Sequence, residues 1–162
     1  MMPICFGISF TKTFMNQARS LVHVYTDGSV GISTAAVEMG QGVNTKVLQV
    51  AAELFSIDPA KVKVNTTNTY RIANTSPTAA SAAADLNGKA TATACIEILK
   101  RMKQVAAEEL KASADTVEIK DGSVFVKGNK TELDWKKLAM LTHMKRISLS
   151  ELAHYTPPGI HF

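Results

Sequence analysis

The sequence predicts an α+β fold in which antiparallel strands and hairpins pack against two or three helices. Three observations carry that prediction. Residues 21–26 and 30–37 are β-prone and apolar, and Thr26-Asp27-Gly28-Ser29 joins them through Asp-Gly, the strongest short-range hairpin signal. Val43, Val47, Val50 and Leu54 recur at helical spacing, and Cys95, Ile98, Leu99, Met102, Ala106 and Leu110 share one face of a longer helix. A second Asp-Gly pair, Asp121-Gly122, separates Val117 and Ile119 from Val124 and Val126 in a second hairpin.

Taken in order, the chain opens with a compact β-prone run from Ile4 to Phe10, followed by polar connection from Thr13 to Arg19. Leu21, His23 and Tyr25 alternate with Val22, Val24 and Thr26, a strand apolar on both faces. Val30 to Val37 returns as its partner. The first helix runs from Val43 to about Phe55 or Ser56, and Asp58-Pro59 stops it because proline disfavours helix in the residue before it. Val62 and Val64 point inward in a short strand from Lys61 to Asn65. Residues 66–73 form a loop. Asn74 to Ser81 is rich in helix-start residues, Ala82 to Asp85 begins the long helix, and Asn87-Gly88 is expected to kink or interrupt it. Leu133 to Met144 is an amphipathic helix around Trp135, Leu138 and Leu141. Ile147 to Tyr155 is the last strand, ended by Thr156-Pro157-Pro158-Gly159.

Composition narrows the function classes. The chain has 162 residues, 46% hydrophobic and 20% charged, as expected for one globular domain over residues 1–162. The net charge is +4: residues 1–99 hold seven Lys/Arg against six Asp/Glu, and residues 100–162 hold eleven against eight. No dense basic stripe or aromatic platform appears, so no nucleic-acid partner is expected. No apolar run is long enough to cross a bilayer and no signal-peptide pattern opens the chain, so no membrane is expected and the location read is cytoplasmic. Cys5 and Cys95 lie in apolar patterns and read as buried thiols, and the four histidines show no zinc spacing.

The stretch that organises the rest is Ala36 to Lys46, Ala-Val-Glu-Met-Gly-Gln-Gly-Val-Asn-Thr-Lys. A strand enters a glycine-flanked turn and leaves it as a helix. Gly40 and Gly42 let the backbone bend and a ligand come close. The first turn of the helix is expected to offer free N–H groups and a positive dipole end to an anion, often a phosphate. Gln41 brings both a donor and an acceptor. A dinucleotide fingerprint needs a glycine where Thr45 stands, and no P-loop spacing is present. Asn74-Thr75-Ser76-Pro77-Thr78-Ala79-Ala80-Ser81 has more small and hydroxylated residues than one cap requires. It reads either as an ordinary cap or as a second turn on the same extended, oxygen-rich ligand. Phe10 and Thr11 read from pattern as a strand end, and Glu38 as a structural carboxylate near the turn. No catalytic residue can be assigned from pattern.

Residues 22–29, Glu38-Met39-Gly40-Gln41-Gly42, Thr45-Lys46 and Asn74 to Ser81 with Asp85 and Gly88 together resemble the xanthine dehydrogenase family of molybdenum hydroxylases. The similarity is to part of the C-terminal half of its molybdenum-cofactor-binding region. The resemblance implies that Met39, Gly40 and Gln41 contact molybdopterin, that Ala80 approaches the molybdenum through its backbone, and that Thr78, Ala79 and Ser81 complete that loop. It implies that Phe10 packs on a purine and Thr11 hydrogen-bonds to it. The Thr-Ser-Pro-Thr-Ala-Ala form and Phe10 favour this family over aldehyde oxidase. Lys12, and Ala35-Ala36 in place of a Gly-Gly pair, depart from the family pattern.

The resemblance further implies hydroxylation of purines such as hypoxanthine and xanthine, with electrons leaving through 2Fe-2S clusters and FAD on parts absent from this chain. Partners implied are the rest of the molybdenum subunit and the iron–sulfur and flavin parts, in a dimeric whole enzyme. The catalytic glutamate of the family falls outside these residues, so the chain alone is expected to be inactive. Alternatives at this stage are an aldehyde oxidase-like or other N-heterocycle hydroxylase subunit, or a non-catalytic binding or assembly module.

Overall fold

A computed structural model describes residues 2–3, 8–65 and 67–159. The Asp27-Gly28 hairpin forms as the sequence requires. Strand β1 (Ala18–Val24) pairs antiparallel with β2 (Val30–Thr34) from Val24↔Val30 to Ser20↔Thr34. Asp27 Oδ1 accepts the Ser29 N–H at 2.9 Å and the Ser29 hydroxyl at 2.6 Å, which fixes the turn. Helix α1 (Val43–Phe55) follows, buries Val43, Val47, Ala51, Ala52 and Phe55, and ends where Ser56 turns left-handed at φ 50°. Strand β3 (Val62–Val64) returns parallel to β2. Among the described strands this is the one parallel pair in an otherwise antiparallel arrangement, and α1 is the reason. A helix between two neighbouring strands makes a crossover, which delivers the second strand in the same direction as the first.

Helix α2 (Ala83–Glu109) is the main wall of the core. Its 27 residues run without a break through Asn87-Gly88. The expected kink is absent: Asn87 Nδ2 donates to the Ala83 carbonyl at 2.9 Å, and a Cβ at Gly88 would stand 3.8 Å from Val50 on α1. Gly88 is buried on α2 facing Val50, and a Cβ there would make an ordinary van der Waals contact. β7 (Ser150–Tyr155) adds to the other edge of β1, giving a sheet in the order β3-β2-β1-β7. Ala18, Ser20, Val22 and Val24 of β1 are buried on one side. There Thr91 of α2 donates its hydroxyl to Ser20 Oγ at 2.8 Å, so two buried polar groups satisfy each other.

β4 (Val117–Lys120) and β5 (Ser123–Val126) form the second hairpin. A third strand, β6 (Asn129–Asp134), continues the meander through Lys127-Gly128. The sequence reading missed it because Asn129-Lys130-Thr131-Glu132 carries no apolar alternation; that edge faces solvent. Helix α3 (Trp135–Met144) begins at Asp134, whose carboxylate accepts the Lys137 N–H at 2.8 Å. The meander is tied to the end of α1 by Gly122 N–H donating to the Ser56 carbonyl at 2.7 Å.

Two other expectations are settled in part. Residues 4–7 and 160–162, including Cys5, Ile160 and Phe162, lie outside the described residues. Within the rest of the opening run, Ile8–Phe10 is not a strand, since Ser9 and Phe10 bond to the Ala80 loop and to Asn16 instead of to a ladder. Among the described residues no helix is long and apolar enough to cross a membrane.

Cys95 is fully buried in the core, and burial pushes its thiol up to about 12. A thiol without thiolate character is inert. In the folded chain a disulfide reagent is therefore expected to leave the Cys95 peptide unmodified, with labelling seen by mass spectrometry only after denaturant is added. Labelling of that peptide at the rate of an exposed thiol would show that the core is not packed as described.

Candidate functional site

The glycine turn is a self-satisfied loop. Gly40 and Gly42 stand at φ 96° and 77°. A Cβ at either position would meet nothing within 4 Å, so conformation, not crowding, calls for glycine there. The Glu38 carboxylate accepts the amide N–H groups of Gly40 at 2.9 Å, Gly42 at 2.9 Å and Asn44 at 3.0 Å. These donors, Asn44 first and Gly42 next, hold the Glu38 carboxyl below its usual range. Gln41 folds back on the same turn: its Oε1 accepts the Met39 N–H at 2.6 Å and its Nε2 donates to the Val37 carbonyl at 2.8 Å. Glu38 thus takes one amide of the first turn of α1, that of Asn44, while among the described residues those of Val43 and Thr45 have no acceptor.

The second turn has the opposite character. Ala80 and Ser81 stand at φ 52° and 53°, two consecutive left-handed residues that are not glycine. Such a conformation costs an L-residue ~1–2 kcal/mol. Ala82 precedes α2 with no side-chain cap. Among the described residues the amides of Ala83, Ala84 and Asp85 have no hydrogen-bond acceptor, as the first turn of an uncapped helix leaves them. Asp85 lies in this turn and is exposed.

The two turns meet. Thr78 Oγ1 accepts the Val37 N–H at 2.9 Å across 41 residues of sequence. Together they bound a cleft of ≈ 300 Å³ whose lining includes Met39, Gln41, Lys46, Thr78, Ala79 and Ser81, with Val43 of α1 and Ala83 and Ala84 of α2. Lys46 has no ion-pair partner among the described residues. On the far side, Ser9 N–H donates to the Ala80 carbonyl at 3.2 Å, and Phe10 is clamped by Asn16 through two 2.8 Å hydrogen bonds.

A family model described as "Molybdopterin cofactor-binding domain" matches residues 1–162. This chain belongs to that family. Among curated proteins it is 42% identical to a xanthine dehydrogenase/oxidase of Gallus gallus over 158 residues, covering 98% of this chain and 10% of the relative. It is 55% identical over 108 residues to xanthine dehydrogenase 1 of Arabidopsis thaliana, covering 67% of this chain and 8% of that one. The chain thus spans about a tenth of the length of these relatives. Two solved structures share the fold. One is a reconstituted CO dehydrogenase from Oligotropha carboxidovorans, with TM-score 0.79, 23% identity, 87% of this chain and 18% of that chain. The other is quinoline 2-oxidoreductase from Pseudomonas putida 86, with TM-score 0.77, 22% identity, 87% of this chain and 19% of that chain.

The donor set of the cleft fits the family's ligand. Unpaired α2 amides and an unpaired ammonium suit a phosphate, and the alanines Ala79, Ala83 and Ala84 leave room for a flat ring system against backbone. Of the residues singled out from sequence, Met39, Gln41, Thr78, Ala79 and Ser81 line the cleft, while Gly40 and Ala80 shape its two turns. Met39 and Gln41 are exposed. Phe10 is half-buried beside Thr78 in a crevice of only ≈ 10 Å³, and Thr11 is exposed. Sequence reasoning gave no role to Lys46, Ala83 or Ala84. Lys46 was visible as the fourth residue of the first helix, and the α2 amides as those of a helix start whose expected cap does not bond.

Proposed function

We propose that this chain supplies part of the molybdenum-cofactor cradle of a xanthine dehydrogenase-like hydroxylase. One observation carries the reading: two turns distant in sequence close on one another through Thr78 and leave unpaired amides and Lys46 on a common cleft. In this reading Met39, Gly40 and Gln41 border the pterin, and Thr78, Ala79, Ala80 and Ser81 form the loop next to it, with the Ala80 backbone facing the molybdenum. The phosphate lies at the first turn of α2 and near Lys46. When bound, the cofactor supplies two-electron redox chemistry that side chains cannot.

The substrate proposed is a purine, with the Phe10 ring packing on it and Thr11 hydrogen-bonding to it. The small crevice beside Phe10 means that the remaining walls of a purine pocket come from chain beyond residues 1–162. The segment 1–162 is accordingly one unit of a larger cytoplasmic, dimeric enzyme that carries iron–sulfur and flavin parts elsewhere. The similarity to xanthine dehydrogenases over 98% of the chain supports this choice.

The purified 162-residue chain is expected to hold no molybdenum and to show no xanthine-dependent reduction of NAD or a dye. Assembled with the remaining parts, it is expected to hold one molybdenum per copy and to oxidise xanthine. Stoichiometric metal or xanthine turnover in the isolated chain would overturn the reading. An assembled enzyme that oxidises an aldehyde or another N-heterocycle, but not a purine, would overturn its substrate.

A further inference from the structure

The four-stranded sheet turns one face to the core, where α2 packs along β1 and β7 over Ala18, Ser20, Val22 and Val24. The register defines the other face, because residues directly opposite across a strand pair point the same way. There Leu21 stands between Leu152 and Ser33, His23 between Ser150 and Gly31, and Arg19 beside His154. Leu21, Tyr25 and Leu152 belong to neither buried apolar cluster; Leu152 is 56% exposed and Tyr25 50%. Tyr25 lies along the sheet. Its ring is 6.2 Å from that of His23, and a Cβ at Gly31 would stand 3.0 Å from its hydroxyl. Glycine at 31 thus keeps this face low enough for another surface to approach it closely.

Charge is the second observation. The outward positions of the four strands carry Arg19, Lys63, His23 and His154, and no Asp or Glu. Glu151, the carboxylate of β7, points to the core side, where its Oε2 accepts from Arg101 of α2 at 2.7 Å. Arg19 is half-buried and has no hydrogen-bond or ion-pair partner among the described residues; its Nε is shut off from solvent and unpaired. A half-buried guanidinium without a counter-charge is a cost that a carboxylate at its terminal nitrogens offsets.

We propose that this open sheet face is the docking surface for another domain of the larger enzyme, one that lays apolar side chains on Leu21, Tyr25 and Leu152 and brings a carboxylate to Arg19. This rests on the reading of the chain as one unit of a larger hydroxylase. A second copy does not fit. In a two-fold contact the face meets itself, so Arg19 and Lys63 would oppose only cations and histidines.

The test measures the dissociation constant of the 162-residue chain with the remaining parts of the enzyme, and the hydroxyl-radical labelling of Tyr25 and Leu152 by mass spectrometry. Both residues are expected to label in the chain alone and to lose that labelling on association. Position 152 is exposed, so its variants are expected to fold. Leu152→Glu sets a carboxylate against the partner's and is expected to weaken association about tenfold or more. Leu152→Lys removes the same leucine but keeps the sign of the face, so it is expected to weaken association clearly less. Arg19→Glu is expected to match Leu152→Glu, with Arg19→Lys recovering part of the loss. Leu152→Lys as damaging as Leu152→Glu, or association that leaves Tyr25 and Leu152 labelled, would overturn the proposal and leave the larger-enzyme reading standing. Labelling lost by the chain alone as its concentration rises would make the occupant a second copy. Labelling lost to phosphatidylserine vesicles would make it an anionic membrane, and either result would overturn the proposal. No association of the wild-type chain at all would overturn the larger-enzyme reading together with it.

Discussion

Replacing Trp135 by alanine is expected to lower folding stability by about 4 kcal/mol, which for a chain of this size lowers the melting temperature by about 8–16 °C. Trp135 is the largest fully buried side chain and the first residue of α3. Its ring lies 5.0 Å from that of Phe55, tilted by 38°, so it joins α3 to the end of α1. Its Nε1–H donates to the Gly28 carbonyl at 2.8 Å, and its backbone N–H donates to the Gly122 carbonyl at 2.8 Å. One residue therefore fastens both Asp-Gly turns to the core. The alanine variant opens a cavity and also orphans the Gly28 carbonyl. Gly28 is held close: a Cβ there would stand 3.1 Å from the Trp135 ring, so the turn cannot shift inward to fill the space with a larger residue. Trp135→Phe keeps most of the apolar surface and loses the hydrogen bond, so about 1–2 kcal/mol is expected. Thermal or urea melts of the three proteins give the comparison. A loss below about 1 kcal/mol for the alanine variant would mean that the two turns are not coupled through this ring.

The parts of this fold that were legible in sequence are those in which local chemistry and burial agree. The Asp27-Gly28 and Asp121-Gly122 turns, α1 and the α2 core face all follow from periods and turn residues read over a few positions. The parts that were not legible depend on partners distant in sequence. β3 lies parallel to β2 because α1 intervenes, which three residues of strand cannot reveal. β6 is an exposed edge with polar residues, so no burial period marks it. Gly88 is a breaker by propensity, yet it sits buried within an unbroken α2.

At the cleft the same division holds. The glycines announced a bend, which they make at positive φ. At α1 the carboxylate of Glu38, four residues before Gly42, reaches the Gly42 and Asn44 amides, a contact that sequence alone did not reveal. Sequence showed a start of α2 rich in capping types, but Thr78, the hydroxyl that mattered most, bonds to Val37 rather than to its own helix.

That bond sets the second large effect. Thr78→Val is expected to change the melting temperature by no more than about 4 °C, because an exposed hydrogen bond contributes about 1 kcal/mol net. Its effect on cofactor occupancy is expected to be larger in proportion. The Val37–Thr78 bond links the two turns across the cleft directly, so the valine variant leaves their separation to weaker contacts. A ligand gripping both turns must then order them on binding, and a penalty of about 1 kcal/mol is a roughly fivefold loss of affinity. Molybdenum content of the assembled enzyme, measured at limiting cofactor, is expected to fall by roughly that factor in Thr78→Val. Thr78→Ser keeps the hydroxyl and is expected to restore most of it. Equal occupancy in Thr78→Val and wild type, or a serine variant no better than the valine one, would show that the turns hold their spacing without this bond. The cleft would then owe its shape to the Ser9 strap and the left-handed Ala80-Ser81 turn, which nothing in Thr78→Val disturbs.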